Sequence, residues 1–331
     1  MQQMKQQIAV IAGGDSSEFQ VSVRSGINVF NAIDRSQFDP WLIHMQEDRW
    51  QVMEGDMPVA DVDKSDFSFE LQGRRIQPDF AYITIHGTPG EDGILQGYFE
   101  LMRIPYSTCN VQVSGLTFNK WHCSNFLRSF GVTMADSVKL NRGVAFSPEE
   151  LVGRLGLPLF VKPNAGGSSF GITKVKHANE LLKAVEHAWT ESREALVESF
   201  VDGREYTCGV ARLDGQVMAF PVTEVIPKNE FFDFEAKYTP GATDEITPAR
   251  LPAEQYRACQ DLTRSIYEWC GCEGIARIDY ILHDGNFYFL EVNTTPGMTS
   301  TSFIPQQIEA MGTTLGEILT KIIRQRLTTG V

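Results

Sequence analysis

Two short polar clusters, Arg277-Ile278-Asp279 and Glu291-Val292-Asn293, are set into otherwise apolar, strand-length runs joined at Asp284-Gly285. Glycine supplies the positive φ that a tight turn requires, so the two runs predict a β-hairpin. Residues two apart on a strand share a face, which groups Arg277 with Asp279 and Glu291 with Asn293. If the strands pair, the four groups converge. Two carboxylates and an amide oxygen, with no Cys or His, suit Mg²⁺ carrying nucleotide phosphates rather than zinc. The competing arrangement is a buried ion pair between Arg277 and a carboxylate, which costs desolvation and is often not stabilising.

Charge narrows the partners. Lys plus Arg number 29 against 42 for Asp plus Glu, a net charge of −13 in 331 residues, which excludes long-range attraction to nucleic acid or anionic membranes. Any anionic ligand must then be held by local cations and backbone amides. Apolar runs such as 8–12 and 157–161 are far shorter than the roughly 20 residues of a membrane span, and the first is too short for the apolar region of a signal peptide. A soluble, cytoplasmic protein is expected, and the six scattered cysteines, lacking CxxC or zinc-like spacing, read as reduced core residues.

Strands at 7–12, 41–45 and 80–85 with a helix at 21–33 predict a parallel sheet with covering helices. The turn Gly13-Gly14-Asp15-Ser16-Ser17-Glu18 lacks the spacing of a dinucleotide loop. A second unit opens with a helix at 114–130, closed by Gly131. It continues through a helix at 148–155, strands at 159–162 and 172–175, and a helix at 179–190. A third contains strands at 195–201, 206–212, 216–222, 274–282 and 286–292, with a helix at 253–270. Lys162 precedes the Gly/Ser-rich segment 164–171, whose amides can approach phosphate oxygens at a hairpin tip; a plain exposed hairpin is the alternative. By position alone Lys120 and Lys237 read first as solvated surface lysines, and Glu198 and Glu205, flanking Gly203, read either as site residues or as exposed turn charges. Segment 293–300 either presents amides to an oxyanion or caps a helix before Pro305.

The ordered motifs are Gly13-Gly14 with Glu18-x-x-Val21-Ser22; His86-Gly87-x-x-Gly90-Glu91-Asp92-Gly93-x-x-Gln96-Gly97; Lys162-Pro163 with Gly167-Ser168-Ser169-x-Gly171; Glu235-Ala236-Lys237-Tyr238; Arg277-Ile278-Asp279; and Glu291-x-Asn293-Thr294-x-Pro296-Gly297-Met298-Thr299. Together they resemble the D-alanine:D-alanine ligase family from residue 8 to about residue 319. The resemblance implies an α/β, three-domain ATP-grasp fold. Residues 1–108 would form an N-terminal parallel α/β domain binding the first D-alanine. Residues 109–198 would carry the phosphate loop, and 199–331 the metal site and an omega-type loop. Lys120, Lys162 and Lys237, with Ser168 and Ser169, would contact phosphates. Glu198, Ser199 and Val201 would hold adenine, and Glu205 the ribose. Asp279, Glu291 and Asn293 would bind two Mg²⁺ (or Mn²⁺). Glu18 would receive the first ammonium, linked to Ser168 and Tyr238, with His86 lining that site. Arg277 and the Gly297 amide would stabilise the oxyanion, while Ser302 and Phe303 would bound the second substrate.

The implied reaction forms an acyl phosphate that a second amine then displaces, under a closing loop at 231–243. The chain departs from the family at Phe232 and Phe234, where relatives carry Tyr, and at Phe303, where Leu is usual. It keeps Tyr238, whose replacement by Phe accompanies use of D-lactate, so the dipeptide is favoured over a D-alanine:D-lactate product. Small-molecule substrates and a homodimer are the implied partners; a catalytically silent nucleotide-binding module is the rival from another class.

Overall fold

The computed structural model describes residues 5–167, 170–227 and 243–330. In the first sheet β1 (Gln6–Gly13) lies parallel to β2 (Phe38–Gln46) and β7 (Phe80–Ile83). Residues 8–12 are completely buried on both faces, as a central parallel strand requires. One face meets α1 (Phe19–Ala32) through Val29, the other α2 (Ile94–Met102) through Leu95 and Phe99. The expectation of a wholly parallel sheet is corrected. β3 (Arg49–Glu54), β4 (Met57–Asp63), β5 (Ser68–Leu71) and β6 (Arg74–Ile76) extend it antiparallel, in the order β6-β5-β4-β3-β2-β1-β7. Their connections are too short for crossover helices, so each strand can only fold back on its predecessor.

The helix expected over 114–130 is two helices, α3 (Val111–Phe118) and α4 (Lys120–Arg128). They break at Asn119, whose extended backbone ends the first and whose side chain caps the second by accepting from the His122 N–H. The second sheet, ordered β10-β9-β11-β8, comprises β8 (Ser137–Asn141), β9 (Leu159–Pro163), β10 (Thr173–Val175) and β11 (Glu194–Ser199). It shares a core with α5 (Pro148–Leu155) and α6 (Leu181–Glu191). The Gly/Ser-rich segment joins antiparallel β9 and β10, the hairpin-tip position expected.

Among the described residues the third sheet has the order β14-β13-β12-β15-β16. Its strands are β12 (Arg204–Leu213), β13 (Gln216–Pro227), β14 (Thr243–Ile246), β15 (Ile275–His283) and β16 (Asn286–Asn293). One face buries α7 (Ala253–Cys270) together with α3 and α4, through Ile266, Val113, Cys123 and Leu127. The opposite face packs on α8 (Phe303–Ala310) and α9 (Leu315–Thr329), and their other sides share a core with α1 and β1. Ile318, Leu319, Ile322 and Ile323 are almost fully buried there, each stabilising by about 2 kcal/mol before entropy is counted. The C-terminal helices thus wedge the first sheet against the third. All six cysteines are buried free thiols.

Candidate active site

Asp284 (φ +46°) and Gly285 (φ +81°) make the two-residue turn of the β15–β16 hairpin, with His283 opposite Asn286. Counted out regularly from Tyr280 opposite Phe289, the next pair would set Asp279 against Leu290. Glu291 and Asn293 would then fall on the face opposite to Asp279 and Arg277. Instead the register slips between Asp279 and Tyr280. Leu290 is the extra residue, Asp279 faces Glu291, and Arg277 faces Asn293. A bulge, which lets two residues oppose one, therefore brings the four groups together.

Arg277 grips Asp279 with two bonds, Nε to Oδ1 at 2.9 Å and Nη2 to Oδ2 at 2.8 Å. Asn293 Nδ2 donates to Oδ2 at 3.0 Å, and the Thr207 hydroxyl to Oδ1 at 2.5 Å. The ion pair and the oxygen set expected to carry Mg²⁺ are thus drawn from one cluster.

The helix break at Asn119 places Lys120 in the first turn of α4, where the helix dipole disfavours a cation. Lys120 Nζ compensates by donating to the Gly166 carbonyl at 2.7 Å and pairing with Glu291 Oε2 at 3.1 Å. Burial acts to lower its pKa, but Glu291, Glu91 and Glu18 outweigh that and hold it above the usual lysine value. Asn164, fully buried after Lys162-Pro163, ties the glycine-rich segment to α4. Its carbonyl accepts from Lys120 N at 3.0 Å and its Oδ1 from Trp121 N at 2.8 Å.

Between the second and third sheets lies a cleft of about 540 Å³, lined by Lys162, Glu198, Ser199, Val201, Glu205 and Lys120. That volume suits a nucleotide-sized ligand. Lys162 Nζ pairs with Glu198 Oε2 at 2.7 Å across neighbouring strands. Lys120, Glu205, Leu290 and Glu291 also line a second cavity, which continues past Arg277, Asp279 and Asn293 to Glu18, His86, Gly297, Ser302 and Phe303. Ser168, Ser169, Lys237, Tyr238, Phe232, Phe234 and nearly all of the 231–243 loop lie outside the described residues.

At the far end of that cavity Glu18 is buried beside Gly167. A Cβ at 167 would sit 2.4 Å from the Glu18 carboxylate, so any larger residue there would have to displace that carboxylate. His86 Nδ1 lies 2.7 Å from the Thr295 carbonyl and Nε2 3.2 Å from Ser25 Oγ, which itself accepts the Met298 N–H at 3.1 Å. The network assigns the proton to Nδ1, and burial lowers the His86 pKa, keeping the ring neutral. Buried Glu91 accepts from the N–H groups of Gly87 (2.8 Å) and Thr295 (3.2 Å). Burial and the nearby Glu18 charge push its pKa up to about 8. The sequence alone gives Glu91, Thr207, Asn164 and Ser25 no site role. For Thr207 a signal existed, since it lies two residues from Glu205 on one strand face.

Among the described residues no helix is long and apolar enough to cross a membrane. The family models for the D-ala D-ala ligase N-terminus and C-terminus match residues 7–109 and 126–324. A D-alanine–D-alanine ligase of Phocaeicola vulgatus is 49% identical over 98% of this chain and 100% of its own length. That of Porphyromonas gingivalis strain W83 is 50% identical over 97% of each. Among solved structures, D-alanyl-alanine synthetase A of Vibrio cholerae superposes with a TM-score of 0.87 at 26% identity, covering 98% of this chain and 99% of that one. A Bacillus anthracis D-alanine–D-alanine ligase complexed with ATP gives 0.79 at 31%, covering 98% of each. These neighbours carry the ATP-grasp fold, and so does this protein: the chain belongs to the D-alanine–D-alanine ligase family.

Proposed function

We propose that this protein joins two D-alanines at the expense of ATP, through D-alanyl phosphate, to make D-alanyl-D-alanine for peptidoglycan. The observation that carries the reading is the junction of two cavities at Lys120 and Glu291, with the bulged hairpin cluster between them. A nucleotide in the larger cleft would direct its phosphates toward Lys120 and Lys162, with Glu198, Ser199 and Val201 around adenine and Glu205 on the ribose. Glu18 at the far end would take the first ammonium. Lys237, Tyr238, Ser168 and Ser169 keep the phosphate and substrate roles that the family implies.

Asp279 and Glu291 stand directly opposite with Asn293 beside them. No group of three His, Cys, Asp or Glu able to hold a metal occurs among the described residues. Mg²⁺ is commonly carried by one or two carboxylates with substrate phosphates completing its shell, so the donor set fits two nucleotide-borne Mg²⁺ (or Mn²⁺). Bound there, they supply charge neutralisation at the phosphates.

The protein's own residues account for the rest. Lys120 and Lys162 draw charge from the γ-phosphoryl group as a carboxylate oxygen of the first D-alanine bonds to phosphorus and ADP leaves. The amine of the second then bonds to the acyl carbon while the C–O bond to phosphate breaks, releasing phosphate and a proton. Arg277 and Gly297 line the cavity, and the guanidinium and the Gly297 amide would stabilise the oxyanion there. Ser302 and Phe303 bound the acceptor end. We further propose units 1–108, 109–198 and 199–331, a homodimer, and a cytoplasmic location.

Phosphate release from Mg-ATP with D-alanine alone, with L-alanine, and with D-alanine plus D-lactate tests the reading, products being identified by mass. Turnover to D-alanyl-D-alanine with D-alanine alone is expected. Turnover only with another acceptor overturns the substrate, and silence with every amino acid leaves a non-catalytic nucleotide-binding module.

A further inference from the structure

Gln307 lies on the inner side of α8, fully buried, a placement that costs free energy unless its amide is satisfied. It is satisfied at a bulge between β12 and β13. The register slips between Cys208 and Val210, where Gly209 stands against two residues of β13, Phe220 and Pro221. Gln307 Oε1 accepts the Gly209 N–H at 2.9 Å, and its Nε2 donates to the Thr207 carbonyl at 3.2 Å and the Thr223 hydroxyl at 3.0 Å. One side-chain amide thus does at the bulge what a partner peptide does in a regular ladder. Glycine at 209 is part of the fit, since a Cβ would sit 2.5 Å from Oε1.

Both ends of this contact reach the site. Thr207 donates to Asp279 Oδ1 at 2.5 Å. Phe303, the first residue of α8, lies with its ring 5.6 Å from the Arg277 guanidinium, and Arg277 holds the same Asp279. Resting on the ligase reading above, we infer that Gln307 is a positioning residue for the second amino acid. It keys α8, whose start carries Ser302 and Phe303, to the strand that steadies Asp279. Sliding or tilting α8 would shift the acceptor wall against the Arg277–Asp279 pair without touching the nucleotide cleft or Glu18.

The test uses the full chain with Gln307→Met, which keeps length and removes the amide, and Gln307→Glu, which keeps the acceptor for Gly209 and loses the donor. D-alanine saturation at fixed, saturating Mg-ATP is resolved into first-site and second-site constants. Gln307→Met raises the second-site KM roughly tenfold, leaves the first-site and ATP constants within about twofold, and Gln307→Glu falls between the two. Hydrogen exchange quickens at Gly209 and through residues 303–310. Unchanged second-site KM overturns the inference, as does a lowered kcat with all three constants intact, the mark of a purely structural role. If the unaltered protein does not ligate D-alanine, the ligase reading fails by itself. Exchange then decides the keying: faster exchange in Gln307→Met upholds it, and unchanged protection overturns it.

Discussion

On the proposed assignment, the nucleotide end and the amino-acid end of the site hold their carboxylates differently. Around the larger cleft carboxylates are matched by cations: Glu291 by Lys120, Glu198 by Lys162, and Asp279 by Arg277 in the adjoining cluster. At the other end Glu18 and Glu91 are both buried within reach of each other's charge, and the bonds holding Glu91 come from backbone N–H groups. On that assignment, a triphosphate with its metals would exchange existing ion pairs, whereas an incoming ammonium would add a cation to a region rich in carboxyls. The first end is preorganised for transfer of charge, the second for recognition of it.

Removing the Glu291 carboxylate breaks this contrast most severely. Glu291→Ala takes away the group that faces Asp279 across the hairpin and pairs with Lys120, and ligation is expected to fall by about 10³-fold or more. Deleting Leu290 instead leaves a regular ladder in which Glu291 follows Phe289 and still faces Asp279, so that variant is expected to retain most of the activity. Phosphate release beside circular dichroism checks both, and near-normal turnover in folded Glu291→Ala shows that the facing carboxylates do not serve the reaction. Lys162→Met is expected to raise the KM for ATP by roughly 10- to 100-fold, the worth of a charge-assisted contact, and to leave D-alanine binding unaltered. A matching rise for D-alanine would merge the two ends.

The register slip also marks how far the sequence is legible. Alternation groups Arg277 with Asp279 and Glu291 with Asn293, yet about a two-residue turn these pairs have opposite parity. Read strictly, that mismatch already requires a bulge; the convergence was expected without its mechanism. The helix break at Asn119 was hidden because Ser114 to Phe130 has uninterrupted helical periodicity, and an Asn inside a helix is tolerable unless its side chain finds a capping role. Antiparallel β3 to β6 were missed because their faces alternate weakly; Met57, Val59 and Arg74 are exposed. The hairpin cluster and Lys162 are legible from strand alternation and the adjoining Gly/Ser-rich segment, whereas the roles of Glu18 and Lys120 come only from the family resemblance. Gln307 and Thr207 depend on contacts between distant segments, which no local pattern encodes.

Glu91 sharpens the comparison through pH. Its carboxyl has a native pKa near 8, raised by burial and by Glu18, against 4.5 for the ordinary side chain. Between those values the native state holds a proton that the unfolded chain has released, so this group makes stability fall as pH rises from about 4.5 to about 8 and contributes no slope above that. Glu91→Gln removes the titration but also one of the two acceptors for the Gly87 and Thr295 amides. Its Tm is therefore expected below the parent's at pH 5, with the gap narrowing toward pH 8. Parallel Tm-against-pH curves would mean that Glu91 titrates as an ordinary carboxyl, and the two ends would then differ less than their geometry implies.

The smallest expected effect is at Ser25, which touches neither substrate by this reading. Its hydroxyl joins the Met298 N–H to His86 Nε2, and His86 passes the constraint to the Thr295 carbonyl. Ser25→Ala leaves a buried donor and a buried acceptor unmet, a cost of about 1–3 kcal/mol in stability, read as a Tm lower by several degrees. Because the 295–298 loop lines the amino-acid cavity and lies away from the larger cleft, the KM for the first D-alanine should rise about threefold, with the ATP constant unmoved. A shift in the ATP constant of equal size would show that the neutral relay through His86 steadies both ends, and that the division between a charge-paired half and a recognition half is drawn in the wrong place.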